Sequence, residues 1–129
     1  MIIENKWISL KNPKIKSNTQ INSSITENNT HFRKHIGLCF LKSNITLVIK
    51  LDQDNMSDEL EEIDLIFDEL SAYSFEETTF YINIEKIKDD ITSYVVATCI
   101  INTNGIHIKS YSFEEGYTYK ININTFLMY

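Results

Sequence analysis

Ser57-Asp-Glu-Leu-Glu-Glu-Ile-Asp-Leu-Ile-Phe-Asp-Glu-Leu-Ser71 is the stretch on which the fold of this 129-residue chain turns. Its apolar residues Leu60, Ile63, Ile66, Phe67 and Leu70 recur at three- and four-residue spacing, the period of an amphipathic helix. Ser57 stands where an N-cap belongs, and Asp58 and Glu59 suit the positive end of a helix dipole. The spacing predicts a helix over 58–71 with its apolar stripe on a sheet. On the outer face fall Asp58, Glu61, Glu62, Asp64, Asp68 and Glu69, with Leu65 among them.

That helix lies in a block of one-signed charge. Between Lys50 and Lys86 stand twelve carboxylates and not one Lys, Arg or His. Residues 1–51 carry eight cations against Glu4 and Glu27, a balance of +6, whereas residues 52–90 sum to −12 and the remainder to zero. On a helix, each like-charge pair at i,i+3 or i,i+4 costs about 0.2–0.5 kcal/mol. Such a face points to a basic protein partner, steered by the carboxylates and anchored by Leu65, with Glu76 and Glu77 as flanking charges. The bland alternative is a solvated face that keeps a small protein in solution.

Outward from this block the texture is β. The alternation of Ile45, Leu47, Ile49 and Leu51 predicts a half-buried strand, with Ser43-Asn44 as a hairpin before it. Phe80, Ile82 and Ile84 alternate likewise, as do Tyr117, Tyr119, Ile121 and Ile123. Residues 94–101 are nearly continuous in apolar residues, which predicts a central strand covered on both faces. Asn104-Gly105 is a hairpin signal of the type that needs positive φ, and Gly116 marks the next turn. Residues 2–10 form an opening strand. Residues 11–30 read as a polar connection free to move, with a short helix after the capping box Ser24-Ile-Thr-Glu27. Together these predict one α+β domain over 1–129: an antiparallel meander with one acidic amphipathic helix on a face. Tyr-Ser-Phe-Glu-Glu occurs twice, at 73–77 and 111–115, as a duplicated β-unit, two similar loops, or chance.

Several chemistries fit poorly. Asp52-Gln-Asp54 opens like a calcium loop, but Met56, Ser57 and Ile63 occupy positions that need an oxygen ligand, a glycine and a bidentate Glu. His31, His35 and Cys39 would share a helix face as metal ligands, yet Gly37 and the β-like residues after it interrupt any helix. Cys99 and His107 flank a turn, but no third residue orients the pair. With three glycines in all, no phosphate-cradling loop exists. A net charge of −6 disfavours nucleic acid. No apolar run approaches a membrane span and no signal peptide is evident. Cys39 and Cys99 are expected reduced, as in the cytoplasm. No catalytic residue, metal or cofactor is assigned.

A small, acidic, Asn-, Ile- and Lys-rich α+β domain without catalytic motifs resembles, in overall character, the immunity proteins that bacteria encode beside polymorphic or contact-dependent-inhibition toxins. That resemblance implies a cytoplasmic monomer that occludes a cognate basic toxin domain, often a nuclease, in a 1:1 complex. The contact set expected from the residues is Asp58, Glu61, Glu62, Asp64, Leu65, Asp68, Glu69, Glu76 and Glu77. The rival is a small enzyme or ligand-binding domain with a pocket lined by Tyr81, Tyr94, Tyr117 and Tyr119.

Overall fold

Alternating burial runs through nearly every segment of the computed structural model, which describes residues 6–17, 24–50 and 60–128. Among the described residues nine strands form: β1 (Ile8–Leu10), β2 (Lys14–Ser17), β3 (Ser24–His35), β4 (Leu38–Val48), β5 (Leu60–Ile66), β6 (Thr78–Lys88), β7 (Ile91–Asn102), β8 (Gly105–Phe113) and β9 (Thr118–Met128). They make one sheet in the order β1-β3-β4-β9-β6-β7-β8-β5-β2, with every ladder antiparallel. Among the described residues there is no α-helix, and the α+β expectation is therefore corrected to an all-β architecture.

The order contains its own closure. β1 and β2 occupy opposite edges of the sheet, yet only Lys11, Asn12 and Pro13 separate them in the chain. Four residue steps span at most about 14 Å. The two edges must therefore approach each other there, and the sheet curls into a half-barrel whose edges are bridged by residues 8–17. Pro13, buried at the crossing, has no N–H to contribute to a ladder and sits where the ladder changes partner. The Lys11 N–H donates to Glu69 Oε2 at 2.7 Å, Asn28 Nδ2 donates to the Leu10 carbonyl at 3.2 Å, and Lys14 pairs with Asp68 at 3.6 Å.

The predicted helix over 58–71 becomes β5 followed by a 3-10 helix over Asp68–Ala72. Ile63, Leu65 and Phe67 point inward and are fully buried; Glu62 and Asp64 take the opposite face. Leu65, expected as an exposed anchor, is a core residue. The 11–30 connection holds β2 and much of β3, and the Ser24 capping box begins a strand. The Ser43-Asn44 hairpin is likewise absent, because β4 runs straight through it and the reversal falls at Ile36-Gly37. Ser57 and the 52–58 loop lie outside the described residues.

One apolar cluster fills the barrel, drawn from the inward phase of its strands and including Phe32, Leu41, Leu47, Leu65, Ile84, Ile108, Tyr119 and Leu127. The inward hydroxyls of Thr30 and Ser43 satisfy each other at 2.8 Å. The repeated pentapeptide supplies a stopper at each end. From the first copy, Tyr73 and Phe75 lie 4.5 and 6.0 Å from Phe32; from the second, Phe113 lies 5.2 Å from Tyr119. The loosest seam is β6–β9. There Glu85, Lys86 and Ile87 pair with Lys120, Tyr119 and Thr118, and Glu76 N–H donates to the Met128 carbonyl at 2.9 Å. Between those points the inward Phe80, Ile82 and Thr125 are only half-buried.

Two turns carry unusual backbone. Asp89 and Asp90 have φ of 52° and 62°, the paired positive values of a type I′ hairpin, which Asn104-Gly105 was expected to supply. Gly105 instead follows its turn with φ of 150°, and a Cβ there would lie 2.0 Å from the Leu65 carbonyl oxygen. Gly105→Ala is expected to lower unfolding free energy by about 2–4 kcal/mol, because the β5–β8 ladder must move apart. Equilibrium urea unfolding measures it, and a change under about 0.5 kcal/mol would contradict this close approach.

Burial pushes the Cys99 thiol from an ordinary value near 9 up to about 12, and the Tyr119 hydroxyl from 10 up to about 12. Both stay protonated in the folded state while the unfolded chain ionises. Their contribution is intact below pH 9 and is lost as pH rises from 9 towards 12, by up to about 1.4 kcal/mol per pH unit for each group. Stability should fall across that window, less steeply in Cys99→Val. Equal slopes in parent and variant would exclude Cys99 as a source.

Candidate interaction surface

Among the described residues, much of the acid block is engaged within the molecule. β2 runs antiparallel to β5, placing Lys14 opposite Ile66 and Lys16 opposite Asp64. Lys14 reaches on to Asp68, and Glu69 accepts the Lys11 N–H. Glu62 lies opposite Lys109 on β8. Asp64 Oδ1 is 2.8 Å from His107 Nδ1. Glu77 accepts from Asn102 Nδ2 at 3.2 Å, and Glu76 is exposed beside it. Asp58 lies outside the described residues, as does the side chain of Glu61. Of the expected contact set, Asp64, Asp68, Glu69 and Glu77 have partners inside the chain, and Leu65 is buried. The outward helical face that was to gather them does not form.

His107 is the hub of a small network on the outer wall. Its Nε2 lies 2.9 Å from Asn102 Oδ1, the same oxygen that accepts the backbone N–H groups of Asn104 and Gly105. Those two bonds fix the Asn102 amide, so both ring nitrogens of His107 face oxygen atoms. The arrangement ties β5, β7 and the β7–β8 turn together and has no nucleophile beside it. Cys99 points into the core, on the other face of the sheet from His107. The metal alternative also fails: His31 and His35 are half-buried on the phase of β3 opposite the buried Phe32, whereas Cys39 is fully buried inside.

The four tyrosines of the rival pocket do not converge. Tyr119 is in the core, and Tyr117 stacks at one barrel end under the ammonium groups of Lys86 and Lys88, at 4.4 and 5.0 Å. Tyr81 and Tyr94 are 79% and 68% exposed on the outer wall. There they join a band that sequence reasoning missed. Phe126 and Met128 on β9 are 60% and 52% exposed, and Val96 on β7 is 60% exposed. Phe40 lies opposite Phe126, and Leu38 opposite Met128. Asn83 is paired with Val96 and Glu85 with Tyr94. The band therefore crosses the outer face of β4, β9, β6 and β7, which are successive strands of the sheet. Ile36, at the β3–β4 turn, and Ile91, beside the β6–β7 turn, are also exposed.

No protein-family model matches the chain, and no curated protein and no solved structure matches it.

Among the described residues no helix is long and apolar enough to cross a membrane. Replacing His107 by Phe removes the ring nitrogens that the half-buried Asp64 carboxylate and the Asn102 oxygen face at 2.8 and 2.9 Å. A loss of about 1–3 kcal/mol in urea unfolding is expected, and an unchanged midpoint would show that the network contributes nothing.

Proposed function

We propose that this chain is a non-catalytic, protein-binding inhibitor of the immunity type, acting in the cytoplasm on a basic toxin domain encoded beside it. The observation that carries the reading is the band of exposed Tyr81, Tyr94, Val96, Phe126 and Met128 on one wall of a rigid barrel. Aromatic residues and Met are enriched at protein interfaces, and contiguous apolar surface of this kind marks contact sites. A sheet held by antiparallel ladders loses little conformational freedom on docking, so more of the contact energy survives as affinity.

Charge supports a basic partner at longer range. The net charge is −6, and Glu85, Asp89, Asp90, Glu76 and Glu77 border the β6–β7 half of the band. Carboxylates around an apolar centre speed the approach of a cationic surface and screen away with salt. Relative to the sequence-based expectation, the affinity moves from an acidic helix to an aromatic wall, while the acids keep a steering role.

The toxin domain specified by the neighbouring gene provides the test. Tyr81→Ala and Phe126→Ala are each expected to weaken binding by roughly 10- to 100-fold, about 1.5–3 kcal/mol at an interface centre. Thermal unfolding should stay near the parent value, since both side chains are exposed. A double variant that binds and protects as the parent does would remove the aromatic wall from the mechanism.

A further inference from the structure

Trp7, Arg33, Phe40 and Lys42 form a cluster on the outer wall of β1, β3 and β4 that the inhibitor reading leaves unused. The Arg33 guanidinium lies 5.4 Å from the Trp7 ring centre and 5.3 Å from that of Phe40, so it is held between two aromatic faces. The Lys42 ammonium lies 4.9 Å from the Trp7 ring. Neither cation forms an ion pair among the described residues. Arg33 Nε is shut off from solvent without a hydrogen-bond acceptor.

The surroundings repeat that sign. β1, β4 and β9 contain no acid, and the only acid of β3 is Glu27, near its far end opposite Thr46. His31 lies opposite Lys42 on the neighbouring strand. This wall is positive on a protein whose net charge is −6.

Stacking on rings strips water from a cation without neutralising it, and an anion arriving there meets a less screened charge. The guanidinium is also pre-oriented, so its donor fork costs little entropy to engage. We propose that this cluster is a carboxylate-binding anchor for an acidic segment of a protein partner. Carboxylate is favoured over nucleic acid because each ring already has a cation over it, Arg33 over both and Lys42 over Trp7, which leaves less ring face for base stacking. A protein source is favoured because Phe40 lies opposite Phe126, which makes the anchor continuous with the apolar band. This inference goes beyond the inhibitor role and stands if that role fails.

Trp7 is the only tryptophan in the chain, so its fluorescence reports this cluster directly. The intact protein would be titrated at low salt with hexaglutamate, hexaglutamine, inorganic phosphate and a single-stranded oligonucleotide of about ten bases. Saturable quenching or shift by hexaglutamate alone is expected, with affinity lowered roughly tenfold or more in Arg33→Gln and in Lys42→Gln. Arg33→Lys, which keeps the charge and loses the fork, should fall between. Lys42 is exposed, so Lys42→Gln carries the test should Arg33→Gln fail to fold. An absent response to hexaglutamate, an unchanged affinity in Lys42→Gln, or tighter binding of phosphate or the oligonucleotide would overturn the proposal.

Discussion

Closure of the sheet by a single N-terminal stretch is the constraint on which the rest of this molecule depends. β1 completes one edge and β2 the other, with three residues between them. Without that stretch, Thr30–Phe32 of β3 and Ile63–Ile66 of β5 would lose their outer partners and lengthen the open rows of backbone donors and acceptors, a template for aggregation. The stretch also resolves the charge segregation of the chain. Lys14 and Lys16 run beside the acids of β5, and Lys11 contributes its backbone N–H to Glu69. The cations of residues 11–16 meet the acidic middle because the fold lays β2 along β5, whereas Arg33 and Lys42 stand apart on β3 and β4. The ion pair itself is exposed and weak; Lys14 and Asp68 are 74% and 75% accessible. What specifies the seam is the combination of ladder register, the buried Pro13 and the inward phase of Ile63, Leu65 and Phe67.

The same stretch explains why the sequence misleads at 58–71. Residues 60–70 satisfy two periods at once. Leu60, Ile63, Ile66, Phe67 and Leu70 suit a helix; Ile63, Leu65 and Phe67 suit a strand. Glu and Leu favour the helix locally, but propensity is a weak prior when tertiary partners are available. Those partners are remote: β2 pairs with β5 across about fifty residues of sequence, and β8 across about forty. No local pattern contains that information. By contrast, β6 and β9 were legible because their Ile, Tyr and Phe residues alternate with no competing helical period. Residues 94–101 were legible as a strand but not as one with a bare outer face.

Turn chemistry shows a similar limit. Asn104-Gly105 does reverse the chain, yet the backbone freedom of Gly105 serves the approach of the Leu65 carbonyl rather than the turn centre. Asp89-Asp90 takes the type I′ geometry without a glycine, since Asp tolerates the left-handed region better than most residues. The repeated Tyr-Ser-Phe-Glu-Glu is conspicuous in sequence, and its structural meaning depends on antiparallel neighbours. Each copy precedes a strand, β6 or β9, and because those strands run in opposite directions the copies stopper opposite ends of the barrel. In both Ile-Asn-Ile tails the asparagine, Asn83 or Asn122, points outward.

The aromatic wall follows from the reassignment of residues 58–71. An α+β layout would have given the sheet a helix as cover for one face. With residues 60–66 built into the sheet, the apolar inward phase closes on itself inside the barrel, and outward apolar residues meet no second layer among the described residues. A signal for them was present in the sequence. Tyr81 and Phe126 are apolar residues in the polar phase of strands whose other phase already supplies the core through Ile84, Ile123 and Leu127. An apolar residue out of phase in an otherwise alternating strand is unnecessary for closure. With no second layer among the described residues, a surface from outside them is what would bury that residue. The charge block invited the search for a partner, but the out-of-phase aromatics locate the surface that would receive one.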